Sequence, residues 1–286
     1  MNAIIKAALL HSMKKIPLSL ARLGAAGLAL VLCSSVLAGE PLPALPAAKD
    51  LPGTLLFHGH YQHRSRGRDI ARPSELWVNQ RPQGGIVALA QLPFMNGTEM
   101  VSGDKENRPE AFRSRQASKG EKPGYAIDLE FRGGKALLTR RGGRGDADGK
   151  ELAVPADATF DPNSRPDSYC AANVLLRQFS SRKLGEAQKC RVYDWDNTGE
   201  AFADYTIKVE FKGKQKVKVP AGTFEASHLV LTQTSSANTW FKKAAGQTTD
   251  FWVLENGVIV RILRQREPYE LVLLDYDVPG KLPGLQ

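Results

Sequence analysis

This sequence predicts a mostly β chain of the α+β class: a single curved antiparallel sheet or half-barrel, a C-terminal β-meander and one short helix near 167–177. Three observations predict it. From Thr54 onward, apolar and polar residues alternate in short runs between Gly, Asn and Pro punctuation, the pattern of half-buried antiparallel strands. Asn256-Gly257, a strong two-residue hairpin signal, and Glu267-Pro268 join the last three runs into a meander. A capping residue, Asp167 or Ser168, opens Tyr169-Cys170-Ala171-Ala172-Asn173-Val174-Leu175-Leu176, a run of good helix formers that ends near Arg177.

The first element is an export signal. Lys6, Lys14, Lys15 and Arg22 precede an uncharged stretch from Leu23 to Leu37, and Val36-Leu37-Ala38 ahead of Gly39 offers a cleavage site, so residues 1–38 read as a signal peptide cleaved after Ala38. Met13, just before Lys14-Lys15, is an alternative start. The uncharged stretch is shorter than the roughly 20 apolar residues that span a bilayer, which predicts no transmembrane anchor after cleavage. Lipid attachment at Cys33 is disfavoured by the bulky Leu32 before it. The expected location is the periplasm of a Gram-negative cell. Removing the signal takes four of the 39 Lys and Arg and none of the 30 Asp and Glu, so the net charge falls from +9 to +5. That modest excess implies no nucleic-acid partner.

Residues 39–53 follow, rich in Pro and Ala (Pro41, Pro43, Pro46, Pro52) and without periodicity, which predicts a tether. A β domain over 54–279 then begins with strands at Leu55–Gln62, Glu75–Gln80 and Ile86–Gln91. Polar, basic residues 97–124 show no period and predict a loop. Strands at Tyr125–Phe131 and Lys135–Arg140 precede the helix. The second series is Arg191–Asp196, Ala203–Phe211, Gln215–Val219, Ala226–Thr234, Asp250–Glu255, Val258–Arg264 and Tyr269–Tyr276, and residues 280–286 form a tail. No internal repeat is evident. Cys170 and Cys190, the two cysteines left after signal cleavage, predict a disulfide in an oxidising compartment, stabilising by roughly 3 kcal/mol.

Lys218-Val219-Pro220-Ala221-Gly222-Thr223-Phe224-Glu225-Ala226 resembles the valine-proline-alanine-glycine-threonine-phenylalanine turn of an exported bacterial family called domain of unknown function 3108 (DUF3108). The resemblance extends to order: a helix ending Leu175-Leu176-Arg177, paired strands, the turn, an aromatic strand at Trp240-Phe241 and a terminal strand. Lys242 to Gln247 is an extra stretch relative to that pattern. The resemblance implies a curved antiparallel sheet, related in shape to periplasmic lipoprotein carriers, and a scaffold with no established reaction. Independently, Pro220 donates nothing to a ladder and Gly222 permits positive φ, so both fit a turn between Val219 and Phe224.

For chemistry, the sharpest cluster is His58-Gly59-His60-Tyr61-Gln62-His63. A strand places His58 and His60 on one face, where neutral imidazoles would share zinc or copper; His63 completes the set only if the strand ends before it. With three imidazoles and a bound water, a metal-dependent hydrolase is the alternative function. Within the segment no carboxylate orients the rings. Asp194-Trp195-Asp196-Asn197-Thr198-Gly199-Glu200 has the opening of a calcium loop, but Tyr205 stands where the bidentate carboxylate belongs, so a hairpin turn is expected. Asp275 and Asp277 share a strand face and read as solvated terminal charges. Serine-hydrolase, zincin, phosphate-loop and dinucleotide motifs find no match, and no cofactor is implied. Trp77, Trp240, Phe241 and Trp252, with Phe251, are the residues that would line a concave face around an apolar ligand. The leading expectation is therefore a non-enzymatic exported protein binding an apolar or envelope-derived ligand, or a protein partner, on a curved β-sheet.

Overall fold

The computed structural model describes residues 40–105, 109–118, 124–142, 145–153, 158–160, 187–195, 202–236, 248–255, 257–265 and 269–279. Its strands are β1 (Thr54–Ser65), β2 (Arg68–Asp69), β3 (Ser74–Gln80), β4 (Ile86–Leu92), β5 (Gly97–Gly103), β6 (Pro109–Gln116), β7 (Tyr125–Arg132), β8 (Lys135–Gly142), β9 (Ala147–Ala153), β10 (Ala158–Phe160), β11 (Ala187–Trp195), β12 (Phe202–Val219), β13 (Gly222–Ser236), β14 (Thr248–Val253), β15 (Ile259–Arg264) and β16 (Tyr269–Asp277). All lie in one sheet of order β10-β11-β12-β13-β14-β15-β16-β1-β3-β4-β5-β6-β7-β8-β9, with β2 paired to β1 at its side. Every neighbouring pair is antiparallel except β10 with β11. The chain thus starts in mid-sheet, where β1 pairs β3 on one side and the C-terminal β16 on the other.

Covalent geometry dictates the curvature. The two edge strands, β9 and β10, are separated by only the five residue steps from Ala153 to Ala158, a reach of at most about 18 Å. A flat sheet on this path would put those edges about 65 Å apart. The sheet must curl until its edges approach, in keeping with the curved antiparallel sheet that the sequence predicts.

Alternation also sorts the two faces. On β3, Leu76 and Val78 are buried on the inner face while Glu75 and Trp77 lie on the outer one. Phe57, Tyr61, Leu76, Ala88, Phe211, Phe224, Leu229, Phe251, Ile262 and Leu271 belong to one continuous inner core. A smaller cluster, Ile127, Leu129, Ala136, Leu138 and Leu152, extends it through β7 to β9.

Two expectations are corrected here. Residues 97–124 do not form one loop: β5 and β6 occupy most of the segment, because the charges that hide the strand period alternate along β6. Arg113 and Arg115 point outward and meet Glu130 and Asp128 on β7, Arg115 Nη1 lying 2.6 Å from Asp128 Oδ1. Cross-strand charge pairs of this kind replace an apolar face.

Nor is 40–53 a free tether. It lies as a strap on the outer face, closing with a 3-10 turn at Ala48–Asp50. Leu51 is buried against Val87, Leu89 and Met100, with Leu45, Ala48 and Trp77 packed around them. Arg141 Nε donates to the Glu40 carbonyl and Arg115 Nε to that of Pro43, each at 2.8 Å, while Asn79 Nδ2 reaches Leu51 O at 3.3 Å. A proline-rich segment loses little entropy on docking, and β4, apolar on both faces, supplies the surface it covers. Leu51→Ala is expected to cost about 2 kcal/mol, at the low end for a buried leucine because the strap can settle onto the gap; chemical denaturation measures it.

Residues 203–211 and 215–219, expected as two strands, form the single strand β12, irregular between Phe211 and Lys214, where Gly213 has φ 102°. The predicted helix at 167–177, Cys170, Trp240, Phe241, the turn at 196–201 and the tail 280–286 lie outside the described residues. Of the cysteine pair, Cys190 is placed on β11, opposite Ile207.

Candidate functional site

Register brings His58 and His60 together with two carboxylates from the flanking strands. In β1, His60 stands directly opposite Glu75 of β3 and, on its other side, opposite Asp275 of β16, giving an Asp–His–Glu row across three strands. His60 Nδ1 lies 2.5 Å from Asp275 Oδ1, and its Nε2 lies 3.4 Å from Glu75 Oε1. Two residues earlier on the same face, His58 Nε2 lies 2.8 Å from the same Glu75 oxygen. One nitrogen from each histidine and one Glu75 oxygen all fall within 4.8 Å of one another. The imidazole of His58 also lies flat on the Trp77 indole, centroids 5.0 Å apart and planes 4° from parallel.

His63 is not part of this cluster, which corrects the three-histidine expectation. The strand does not end before it, so period 2 sends it to the opposite, inner face, where it is fully buried. Its Nε2 lies 2.8 Å from Ser74 Oγ and its Nδ1 2.6 Å from the Tyr269 hydroxyl. Hydroxyls serve as donor or acceptor, so they satisfy a neutral ring in either tautomer. Burial lowers the pKa of His63 to about 4. The glycine between His58 and His60 has a structural cause: a Cβ at Gly59 would come within 2.5 Å of the Phe57 ring.

Glu75 and Asp275 escaped the sequence reading because they lie 15 and 215 residues from His60, and only strand register joins them. Asp275, expected to be a solvated terminal charge, is a partner of His60.

Trp77 and Trp252, expected on one concave face, lie in separate places: Trp77 packs against the strap cluster, and Trp252 is buried with the main core cluster. Trp252 of β14 stacks on His228 of β13, its direct cross-strand partner, at 4.8 Å and 3°, and carries the Arg261 guanidinium 5.0 Å from its ring centre. His228 Nε2 lies 2.7 Å from Asp250 Oδ1. The device therefore occurs twice. A histidine stacks on the tryptophan opposite, and its Nε2 meets the carboxylate two residues before that tryptophan, in Glu75-Leu76-Trp77-Val78 and in Asp250-Phe251-Trp252-Val253. Those two four-residue strings were the signal available in the sequence, which otherwise shows no repeat. The second copy has one histidine where the first has two.

A groove of about 700 Å³ opens at the strap's N-terminal end, lined by Pro41, Leu42, Pro93 and Tyr125 together with Arg115 and Arg141. Both arginines are already tied to strap carbonyls and to acidic neighbours, Asp128 for Arg115 and Asp148 for Arg141.

A family model described as a protein of unknown function, DUF3108, matches residues 85–269. No curated protein matches the sequence. Among solved structures, the chain is similar in fold to a β-barrel-like protein of the DUF1849 family from Brucella abortus, at TM-score 0.50 and 8% identity over 80% of this chain and 100% of that one. A DUF1089 family protein from Pseudomonas aeruginosa aligns at TM-score 0.34 and 12% identity over 86% of this chain and 100% of that one. The hypothetical lipoprotein YmcC from Escherichia coli aligns at TM-score 0.35 and 11% identity over 80% and 90% respectively.

Proposed function

The chain belongs to the DUF3108 family, and from that premise we propose that it is an exported periplasmic protein that binds an amphiphile of the cell envelope. One observation carries the reading: the groove beside the strap has a mostly apolar lining, the surface that an acyl chain would fill, with Arg115 Nη2, left without a hydrogen-bond partner, beside it for a polar head. The segment over 1–38 supports export, since its basic start and uncharged core precede a small-residue cleavage site. Among the described residues no helix is long and apolar enough to cross a membrane. Trp77 and Trp252 do not line this groove.

The test is native mass spectrometry of untagged protein recovered from the periplasm, under mild and then denaturing conditions. A chain beginning at Gly39 and carrying a lipid-like mass that leaves on denaturation is expected. In a companion titration, a fluorescent long-chain carboxylate should bind the wild type, and Tyr125→Asp should weaken it at least tenfold by placing a charge in the apolar floor. A bare chain that also ignores the probe would sink the proposal.

A further inference from the structure

We propose that His58, His60 and Glu75 form a binding site for one divalent late first-row metal ion, zinc or copper, with Asp275 as the positioning residue for His60. The proposal is independent of the groove. Its strongest argument is a proton count. A neutral imidazole has one N–H, and the 2.5 Å contact assigns that of His60 to Nδ1, donating to Asp275 Oδ1. In that tautomer His60 Nε2 carries no proton and stands 3.4 Å from Glu75 Oε1, itself an acceptor, so the pair is unfavourable unless a second proton or a metal ion sits between them. His58 supplies the further nitrogen that a metal ion, unlike a proton, would use, and carboxylate–histidine–metal is the arrangement in which an outer carboxylate fixes the tautomer of a ligating ring.

Geometry agrees. Ligand atoms around a tetrahedral ion at ordinary zinc–nitrogen and zinc–oxygen lengths stand about 3.3 Å apart. The His60–Glu75 separation of 3.4 Å is already there; the His58–Glu75 separation of 2.8 Å must open by a small side-chain turn. Stacking on Trp77 confines the His58 ring to its plane, so that turn keeps Nε2 aimed at the site. Two nitrogens and one oxygen select zinc or copper over calcium or magnesium, which take oxygen ligands. His58, His60 and Glu75 are 24%, 37% and 28% exposed, so an ion has an entry path and keeps water on its open positions.

The experiment titrates the full-length mature protein, stripped with chelator, with zinc ion alone by calorimetry, and with cobalt ion by visible absorption as a report of coordination. One ion per chain is expected. Glu75→Gln should weaken zinc at least tenfold, His58→Ala with His60→Ala should abolish it, and Asp275→Asn should weaken it 10- to 100-fold by releasing the His60 ring. Thermal melts establish that each variant is folded. Should the double variant unfold, copper quenching of Trp77 fluorescence decides instead: the wild type should be quenched at one equivalent and Trp77→Phe, which keeps every ligand, should lose that component. Absence of stoichiometric binding, or binding of unchanged strength in folded Glu75→Gln, overturns the proposal.

Discussion

Phe224→Ala is expected to destabilise the protein by about 3–5 kcal/mol, the cost of emptying an aromatic-sized space in a packed core. Phe224 is completely buried. It pairs with Val217 across the β12–β13 hairpin and meets Tyr276 of β16 edge to face, ring centroids 6.0 Å apart. The hairpin closes through Pro220-Ala221 between paired Val219 and Gly222, whose φ is 143°, and the Ala221 N–H donates to Leu273 O at 3.2 Å. The family turn therefore anchors a long hairpin to the strand in mid-sheet. Urea denaturation gives the measurement; the midpoint should fall with an unchanged slope. Exposed Lys218, two residues before the proline, is the control, and Lys218→Ala should stay within about 0.5 kcal/mol of wild type. A cost below about 1 kcal/mol for Phe224→Ala would remove the turn from the core and reopen it as a functional motif.

Acidification should cost the fold up to about 3 kcal/mol through His63 alone, from the difference between its ordinary and buried pKa at 1.36 kcal/mol per unit. Burial lowers the folded-state value from 6.5 to about 4, so between those values the unfolded chain holds a proton that the folded chain does not. Stability from this group is complete above about pH 7, declines as pH falls through 6.5 and is lost once pH reaches the folded value. His63→Gln, which has no proton to take up, should flatten the wild-type decline between pH 6.5 and 4 when melting temperatures are compared across that range. A difference between the two proteins that is constant with pH would mean that His63 accepts its proton inside the fold.

The histidine motif divides cleanly into what was and was not readable. Period 2 puts His58 and His60 together, and that pairing is local enough to see in six residues. The direction of His63 depended on where the strand ends, which the sequence reading put at Gln62; β1 runs on to Ser65 and so turns His63 inward. The charges of the segment now seen as β5 and β6 obscured an ordinary strand pair, because their compensation comes from Asp128 and Glu130 on a later strand. The strap misled for the opposite reason. Its proline content reads as unstructured, yet what decides its position is the doubly apolar β4, a signal that sat 35 residues away.

By itself the sequence determined strand content, most strand positions, the Pro220-Ala221 turn, the family and the shared face of His58 and His60, because each depends on residue types a few positions apart. Tertiary structure alone decided that β1 lies between β3 and β16. That choice brings Glu75 and Asp275 to His60, buries His63 between Ser74 and Tyr269, and lays the strap across Trp77. Register between strands distant in the chain is fixed by packing of the whole inner face, and no local pattern encodes it.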